Sequence, residues 1–273
     1  MDVPPPRGVL EAFGLSGRPE PLAGGQATVW RVGEAVLKPE THSAQDLEWQ
    51  AQVLGQVRQA QMRETQVRVS RPLRSLSGEW LAEGWSAGTY LAGRHEPGRW
   101  TEILQVGRNF HLALVSVPRP AFLEARTDHW AAADRMAWGE GSLQPFLEAR
   151  HIRRLAERIR PVHAPSQLIH GDLTGNVLFS DTHPPAVIDF SPYWRPAGFA
   201  LAIVVADALV WEGADEGLLE AVSEVADFAQ LFLRALIFRR VVEELSSPSS
   251  QARNTVHDPY QSAVDLAVGL ASF

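Results

Sequence analysis

The pattern of apolar residues changes near residue 85, and this change limits the folds that the chain can adopt. From Pro21 to Trp85 the stretches "ATVWRV", "EAVLK", "VRVSRPLRS" and "EWLAEGW" are short, rich in Val, Trp and Leu, and separated by Gly, Pro or Ser, which is typical of strands. Longer stretches with helical spacing follow near residues 99–115, 143–160, 197–211 and 217–246. We therefore expect an α+β protein with a small β-rich lobe, residues 1–85, and a larger, mainly helical lobe, residues 86–273.

Each lobe also contains segments of the other type. From about Ser43 to Met62, apolar residues recur every three or four positions, which predicts a helix. Ser43 followed by Asp46 is a signature of a helix N-terminus. In the helical lobe, "QLIHG", "NVLFS" and "AVIDF" predict three short strands close to one another in sequence.

Composition and charge exclude several classes of protein. With 273 residues, 45% of them hydrophobic, the chain is long enough to form a substantial core. Its net charge of −7 argues against a nucleic-acid partner, because contacts to phosphates need a basic face. The absence of cysteine excludes disulfides, cysteine-ligated zinc, iron–sulfur clusters and a thiol nucleophile.

No stretch of the sequence has the features of a secretory signal or a membrane anchor. The opening "MDVPPPRGVLEAFGL" lacks a basic region followed by an apolar run. The longest apolar stretch, Phe199 to Ala206, is too short to span a bilayer. We therefore expect a cytoplasmic protein without a membrane partner.

The stretch "LIHGDLTGNVLFSDTHPPAVIDF" places oxygen-bearing side chains next to short predicted strands. Asp172 follows the first strand, Asn176 precedes the second, and Asp189 lies at the end of the third. Carboxylate and amide oxygens are the ligands that Mg²⁺ selects, often as one or two carboxylates together with substrate phosphates. If a hydroxyl must lose its proton, one carboxylate has to serve as the base. This division of roles between a base and metal ligands favours Asp172 as the base and Asn176 and Asp189 as the metal ligands.

These residues resemble a motif of the aminoglycoside phosphotransferase and choline kinase-like superfamily: His, any residue, Asp and a later Asn, followed by a hydrophobic strand that ends in Asp. The resemblance covers most of the chain and implies a protein-kinase-like fold. It implies that Asp172 is the catalytic base, that Asn176 and Asp189 bind the metal, and that His170 is the structural residue that holds the loop. One feature departs from the motif, because three residues rather than four separate Asp172 from Asn176. A one-residue deletion can move a side chain by up to about 3.5 Å, a shift that Gly175 can absorb.

Lys38 is the only lysine among 25 basic side chains. Lysine carries a compact charge on a thin flexible stem, whereas arginine presents a broad planar fork. The resemblance implies that Lys38, at the end of "AVLK", contacts the α- and β-phosphates of the nucleotide. It also implies a helical carboxylate as the partner of Lys38, with Glu48 as the first candidate and Asp46 as the second. The alternative is that one lysine survived by chance in an arginine-rich composition.

Two further segments are candidates for nucleotide binding. Gly24 and Gly25 lie before Lys38 between two strand patterns, where a backbone without Cβ can approach phosphate oxygens. An ordinary hairpin turn explains the same pair equally well. The resemblance places the hinge between the lobes, whose backbone would bind adenine, at Glu83 to Ser86, which includes Trp85.

The function that the resemblance implies is transfer of the γ-phosphoryl group of ATP to a hydroxyl of a small molecule, with Mg²⁺ as cofactor. GTP is not excluded as the donor. The alternative function is that of a pseudokinase, a nucleotide-binding or scaffold module in which the shortened loop no longer supports turnover.

The charge pattern after the predicted metal loop bears on the acceptor. Between Pro196 and Leu233 there is no Lys or Arg, and seven acidic residues occur: Asp207, Glu212, Asp215, Glu216, Glu220, Glu224 and Asp227. A solvated helix face explains these residues. The sharper interpretation is that they attract a cationic acceptor, such as an amino sugar or a quaternary amine. Trp194, in "SPYWRP", is a further candidate for the border of the acceptor site.

Overall fold

The structure is a computed structural model, and it describes residues 3–22, 29–61, 66–246 and 258–272, with the side chains of residues 59–61 excepted. The chain divides into two compact units. The N-terminal unit comprises Met1–His95 and Val177–Asp189, and the C-terminal unit comprises Glu96–Asn176 and Phe190–Phe273. This division differs from the boundary predicted after residue 85, because the first unit extends to His95 and includes a segment from the second half of the chain.

The helices and strands confirm the predicted α+β class. The strands of the described residues are β1 (Glu20–Leu22), β2 (Val29–Val32), β3 (Ala35–Pro39), β4 (Arg68–Val69), β5 (Pro72–Leu73), β6 (Leu81–Ala82), β7 (Trp85–Thr89), β8 (Ser166–His170), β9 (Val177–Leu178), β10 (Ala186–Val187) and β11 (Pro192–Pro196). The α-helices are α1 (Arg7–Ala12), α2 (Ala44–Gln61), α3 (Trp100–Leu112), α4 (Phe122–Ala125), α5 (His129–Ala137), α6 (Ile152–Ala156), α7 (Ala197–Trp211), α8 (Phe228–Ser246) and α9 (Gln261–Leu270). Within the described ranges, none of these helices has both the length and the apolar character needed to cross a bilayer.

The main sheet of the N-terminal unit is antiparallel. Its strand order is β1-β2-β3-β7-β5, and β6 also pairs with β7. Successive side chains of a strand point to opposite faces, so β3 buries Ala35 and Leu37 on one face and carries Lys38 on the other. The buried face forms a core with residues of α1, β2 and β7: Val9, Trp30, Val32, Leu37, Trp85 and Ala87.

A second, three-stranded sheet brings the segment Val177–Asp189 into the N-terminal unit. In this sheet β10 pairs with β4 in parallel and with β9 in antiparallel orientation. Arg68 extends from β4 and donates hydrogen bonds to the carbonyl of Pro184 at 2.8 Å and to that of Ala92 at 2.7 Å. These contacts place Asp189, two residues after β10, in the same unit as Lys38.

Helix α2 confirms the predicted helix and its cap. The backbone N–H of Asp46 donates to Ser43 Oγ at 3.1 Å, and the backbone N–H of Ser43 donates to Asp46 Oδ2 at 3.0 Å. Each side chain thereby satisfies a backbone donor that the first turn of a helix leaves without an intrahelical partner.

Two of the four long helices predicted for the C-terminal unit are continuous, and two are interrupted. The patterns at 99–115 and 197–211 form α3 and α7. The pattern at 143–160 forms a 3₁₀ turn and the short α6, separated near His151, and the pattern at 217–246 is interrupted at Asp227 before α8. Both residues have left-handed backbone conformations, with φ of 73° and 57°, and directly precede α6 and α8, so that neither can be part of a continuous right-handed helix.

Candidate active site

Lys38 and Asp189, the predicted phosphate-binding lysine and a predicted metal ligand, form an ion pair in the N-terminal unit. Lys38 Nζ donates to Asp189 Oδ1 at 2.8 Å. Burial alone would lower the pKa of Lys38, but the charge of Asp189 and the hydrogen bond to it raise this pKa above its usual value. The Asp189 side chain is 61% exposed, so the pair is open to solvent on the carboxylate side.

The predicted partners of Lys38 on α2 have other contacts. Glu48 accepts a hydrogen bond from Arg74 Nη2 at 3.1 Å, and Asp46 is bound to Ser43 in the cap of α2. The prediction that Glu48, or Asp46 in its place, pairs with Lys38 is therefore wrong in this structure. The physical reason is local: Arg74 offers Glu48 a guanidinium, and the cap engages Asp46 at the first turn of the helix.

Glu40, which the sequence analysis did not single out, lies two residues after Lys38 and so on the same side of the extended chain. Its side chain is only 2% exposed. Ser86, opposite Lys38 in β7, donates to Glu40 Oε2 at 2.7 Å, and the backbone N–H groups of Thr41 and His42 donate to Oε1 at 2.9 and 3.0 Å. Burial raises the pKa of Glu40, but the hydrogen bonds from His42 and the charge of Lys38 outweigh burial and lower it to about 2. The signal in the sequence was an acidic residue two positions after the lysine.

The other predicted nucleotide contacts are placed differently or not described. Gly24 and Gly25 lie outside the described residues. Glu83 occupies the turn between β6 and β7 with φ of 50°, and Trp85 begins β7 and is buried in the core. Residues 83–86 thus lie inside the N-terminal unit, because β7 continues the sheet to Thr89 and the unit extends to His95. Their role as the adenine-binding hinge stays a prediction.

In the C-terminal unit, His170 at the end of β8 is fully buried and holds the start of the predicted catalytic loop. Its Nδ1 accepts a hydrogen bond from the backbone N–H of Asp172 at 3.1 Å, and its own backbone N–H donates to His111 Nε2 at 3.0 Å. Burial and the neighbouring His170 lower the pKa of His111 to about 3, so His111 is neutral and can accept this bond. Gly171 packs against Tyr193 so closely that a Cβ there would lie 2.4 Å from the ring.

Asn176 contacts Asp172 across the shortened loop. Its Nδ2 donates to the backbone carbonyl of Asp172 at 2.8 Å and more weakly to Asp172 Oδ2 at 3.3 Å. Gly175, with φ of 80°, supplies the left-handed turn that brings Asn176 back to Asp172. The loop therefore closes with one residue fewer than the motif usually has.

Asp172 also pairs with Arg239, a residue of α8 that the sequence analysis missed. Arg239 Nη2 donates to Asp172 Oδ1 at 2.8 Å, and the same guanidinium binds Asp207 of α7. Burial would lower the pKa of Arg239, but the charges of Asp207 and Asp172 raise it. A signal existed in the sequence, because Arg239 continues a helical series of apolar residues, Phe232, Ala235 and Leu236, that lines a buried face. An arginine on such a stripe indicates a buried acidic partner.

Asn176 in the C-terminal unit and Asp189 in the N-terminal unit each carry an oxygen of the type that Mg²⁺ prefers. Both described hydrogen bonds of the Asn176 side chain use its nitrogen, so its carbonyl oxygen takes part in neither. Asp189 presents a largely exposed carboxylate. In the part of the chain that the structure describes, no three His, Asp or Glu side chains form a metal cluster. Mg²⁺ commonly needs only one or two protein ligands, because substrate phosphates and waters complete its coordination.

Four of the seven acidic residues considered for a cationic acceptor have structural contacts. Asp207 binds Arg239, Glu212 accepts from Trp100, Asp215 caps the 3₁₀ turn at Glu216–Val222, and Asp227 accepts from the backbone N–H groups of residues 163 and 164. The prediction that acidic side chains attract a cationic acceptor then depends on the remaining three residues, Glu216, Glu220 and Glu224.

Trp194, the candidate for the border of the acceptor site, lines a cavity of about 170 Å³ in the C-terminal unit. Arg195 in the same wall is held by two carboxylates, those of Asp134 and Glu140, at 2.6–3.2 Å. Arg126, also in the wall, binds Asp128. Arg195 and Arg126 are thus engaged in ion pairs within the unit.

Comparison with known proteins identifies the family. The model of the phosphotransferase enzyme family, APH, matches residues 19–230. No curated protein matches the chain. Similar solved structures include an aminoglycoside phosphotransferase from Alicyclobacillus acidocaldarius, with 15% identity, a TM-score of 0.55, and coverage of 100% of this chain and 93% of the other.

Two further structures have the same fold. An amicoumacin kinase has 12% identity and a TM-score of 0.58 over 93% of this chain and 88% of the other. A choline/ethanolamine kinase family protein from Mesorhizobium loti has 16% identity and a TM-score of 0.53 over 95% of this chain and 88% of the other. These likenesses confirm the protein-kinase-like fold. Because the family model matches well over half of its length, the chain belongs to the phosphotransferase enzyme family.

Proposed function

We propose that this protein transfers the γ-phosphoryl group of ATP to a hydroxyl of a small molecule. The observation that carries the proposal is the state of Asp172: it is held by His170 through its backbone and by Arg239 through its carboxylate, yet its side chain remains 40% exposed. A rigid, accessible carboxylate of this kind is suited to orienting a hydroxyl.

In this proposal the N-terminal unit binds the nucleotide. Lys38 would contact the phosphates, and Asp189 would be a ligand of Mg²⁺, which when bound compensates the phosphate charge. Asn176, a residue of the C-terminal unit, is the second proposed metal ligand. Two structures of the same fold support ATP as the donor, because the amicoumacin kinase was solved with AMP-PNP and a spectinomycin phosphotransferase with ADP.

Asp172 acts on the acceptor. The acceptor oxygen forms a bond to the γ-phosphorus, the bond from that phosphorus to the leaving diphosphate oxygen breaks, and the hydroxyl proton passes to Asp172. The contribution of the protein is positioning and electrostatic stabilisation, without a covalent intermediate. A cationic acceptor remains the proposal for the substrate class, supported by the exposed Glu216, Glu220 and Glu224.

The experiment is a phosphorylation assay with Mg·ATP and a panel of amino sugars, choline-like amines and neutral sugars, read out by ³¹P NMR of the product. Nucleotide binding is measured in parallel by calorimetry. Asp172→Asn is the matched control, since it removes the base and nearly preserves the shape. We expect a phosphomonoester with the wild type and none with the variant.

Nucleotide binding without turnover on any acceptor would favour the pseudokinase instead. Absence of both binding and turnover would refute the proposed function.

A further inference from the structure

Arg239 joins two aspartates of the C-terminal unit that lie on different elements. Its Nε donates to Asp207 Oδ1 at 2.7 Å, and its Nη2 donates both to Asp207 Oδ2 at 2.5 Å and to Asp172 Oδ1 at 2.8 Å. The side chains of Arg239 and Asp207 are only 8% and 4% exposed, whereas that of Asp172 is 40% exposed. The guanidinium thus connects a buried carboxylate to an accessible one.

The two bonds to Asp207 fix the plane of the guanidinium. A planar fork bound through two nitrogens to one carboxylate has little rotational freedom. The rings of Trp130 and Phe238 lie 5.8 and 5.5 Å from the guanidinium carbon and restrict it further. The direction in which Nη2 meets Asp172 is therefore set by side chains of α7 and α8, which lie outside the catalytic loop.

We propose that Arg239, anchored by Asp207, is a positioning residue that sets the orientation of the Asp172 carboxylate; this inference rests on the proposed function of Asp172 as the base. Arg239 engages Oδ1, and the only described contact to Oδ2 is the long 3.3 Å bond from Asn176. Oδ2 is thereby the oxygen directed to the acceptor hydroxyl. The loop from Asp172 to Asn176 is one residue shorter than in the family motif. Arg239 gives this shortened loop an anchor on a helix outside the loop.

Substitution of Arg239 alone is a poor test of this inference, because the charge of Asp207 is buried. Removal of Arg239 alone would leave Asp207 buried without its cation, which can prevent folding. Replacement of a buried ion pair by apolar residues of similar volume is often tolerated. The double variant Asp207→Leu/Arg239→Met therefore removes the anchor while keeping the packing, and Arg239→Lys keeps the charge while removing the fork.

The test compares these two variants with the wild type. Arg240→Lys is the matched control, because Arg240 is the next residue of α8 and pairs with Glu243 and Glu244. Measured quantities are kcat with the best acceptor, the dissociation constant for Mg·ATP, and the position of the Asp172 carboxylate in crystal structures.

We expect kcat to fall at least about tenfold in both Arg239 variants, with the dissociation constant for Mg·ATP unchanged and the Asp172 carboxylate rotated away from its wild-type position. The control should match the wild type in all three quantities. Wild-type kcat in the double variant, or an unmoved Asp172 carboxylate, would overturn the inference. If the wild type shows no transfer, the proposed function fails, and the crystal structures alone still decide whether Arg239 positions Asp172.

Discussion

Lys38 Nζ lies 2.8 Å from Asp189 Oδ1, although 151 positions separate the two residues in sequence. The pair joins the only lysine of the chain to the carboxylate that we propose as a metal ligand. A compact ammonium on a flexible stem can exchange a carboxylate oxygen for phosphate oxygens within a small space. The same geometry would be crowded by a planar guanidinium.

Lys38→Arg should therefore weaken Mg·ATP binding or lower kcat/KM at least about tenfold, although it conserves the charge. The measurement is calorimetry of nucleotide binding together with steady-state kinetics. Arg31→Lys on the neighbouring strand β2 is the control and should leave both quantities unchanged, because the contacts of Arg31 are with Gly33, Glu34 and Tyr90. A silent Lys38→Arg variant would support the view that the lone lysine is an accident of composition.

Substitutions at Asp189 and Asp172 should separate binding from transfer. Asp189→Ala removes a proposed metal ligand and should abolish Mg²⁺-dependent nucleotide binding. Asp172→Asn should bind Mg·ATP as the wild type does and lose transfer, because the amide cannot take up the hydroxyl proton. Titration of each variant with nucleotide, with and without Mg²⁺, provides the measurement. Wild-type turnover by Asp172→Asn would show that Asp172 is not the base.

His111 should make the stability of the fold depend on pH. Its folded pKa of about 3 lies below the ordinary 6.5, so the unfolded chain takes up a proton first as the pH falls. The contribution of His111 is complete above pH 6.5 and is lost progressively towards pH 3. Through this residue the free energy of unfolding should fall by about 2 kcal/mol between pH 7 and pH 5. Chemical denaturation of wild type and His111→Gln at both pH values measures this, and an equal pH dependence in the two proteins would contradict it.

Glu40 should also make the free energy of unfolding depend on pH, in a more acidic range than His111. Its folded pKa of about 2 lies below the ordinary 4.5, so its contribution is present above pH 4.5 and is lost as the pH falls towards 2. Glu40→Gln should destabilise the protein by about 1–3 kcal/mol at pH 7, because the amide cannot accept all of the bonds made by the buried carboxylate. The difference from the wild type should shrink as unfolding is measured at pH 4 and then at pH 3. A constant difference over this range would show that the charge of Glu40 is not the cause.

The acceptor proposal predicts a dependence on ionic strength. If exposed carboxylates attract a cationic acceptor, its apparent KM should rise between low and physiological salt, because salt screens the attraction. The KM for a neutral sugar acceptor, measured in the same buffers, should stay constant. A preference for neutral or anionic acceptors would exclude the idea.

Local patterns in the sequence were sufficient for several elements. Helices α2 and α7 were predicted closely, because their spacing of apolar residues and, for α2, the cap formed by Ser43 and Asp46 are encoded within a few neighbouring positions. The order His170, Asp172, Asn176 and Asp189 similarly indicated the family, since this chemistry requires particular side chains at short intervals along the chain. Strand β11 was missed, because its two terminal prolines do not resemble a strand pattern.

The partners of the charged residues were decided by the tertiary structure. Glu48 was expected to pair with Lys38 but binds Arg74, and Arg239 reaches Asp172 from 67 positions away. A charged side chain pairs with the opposite charge that folding brings closest, and that distance depends on how strands and helices pack. Local sequence motifs therefore indicated the candidate residues for the chemistry, whereas the packing of β10 beside β4 and of α8 against α7 set which carboxylate each cation holds.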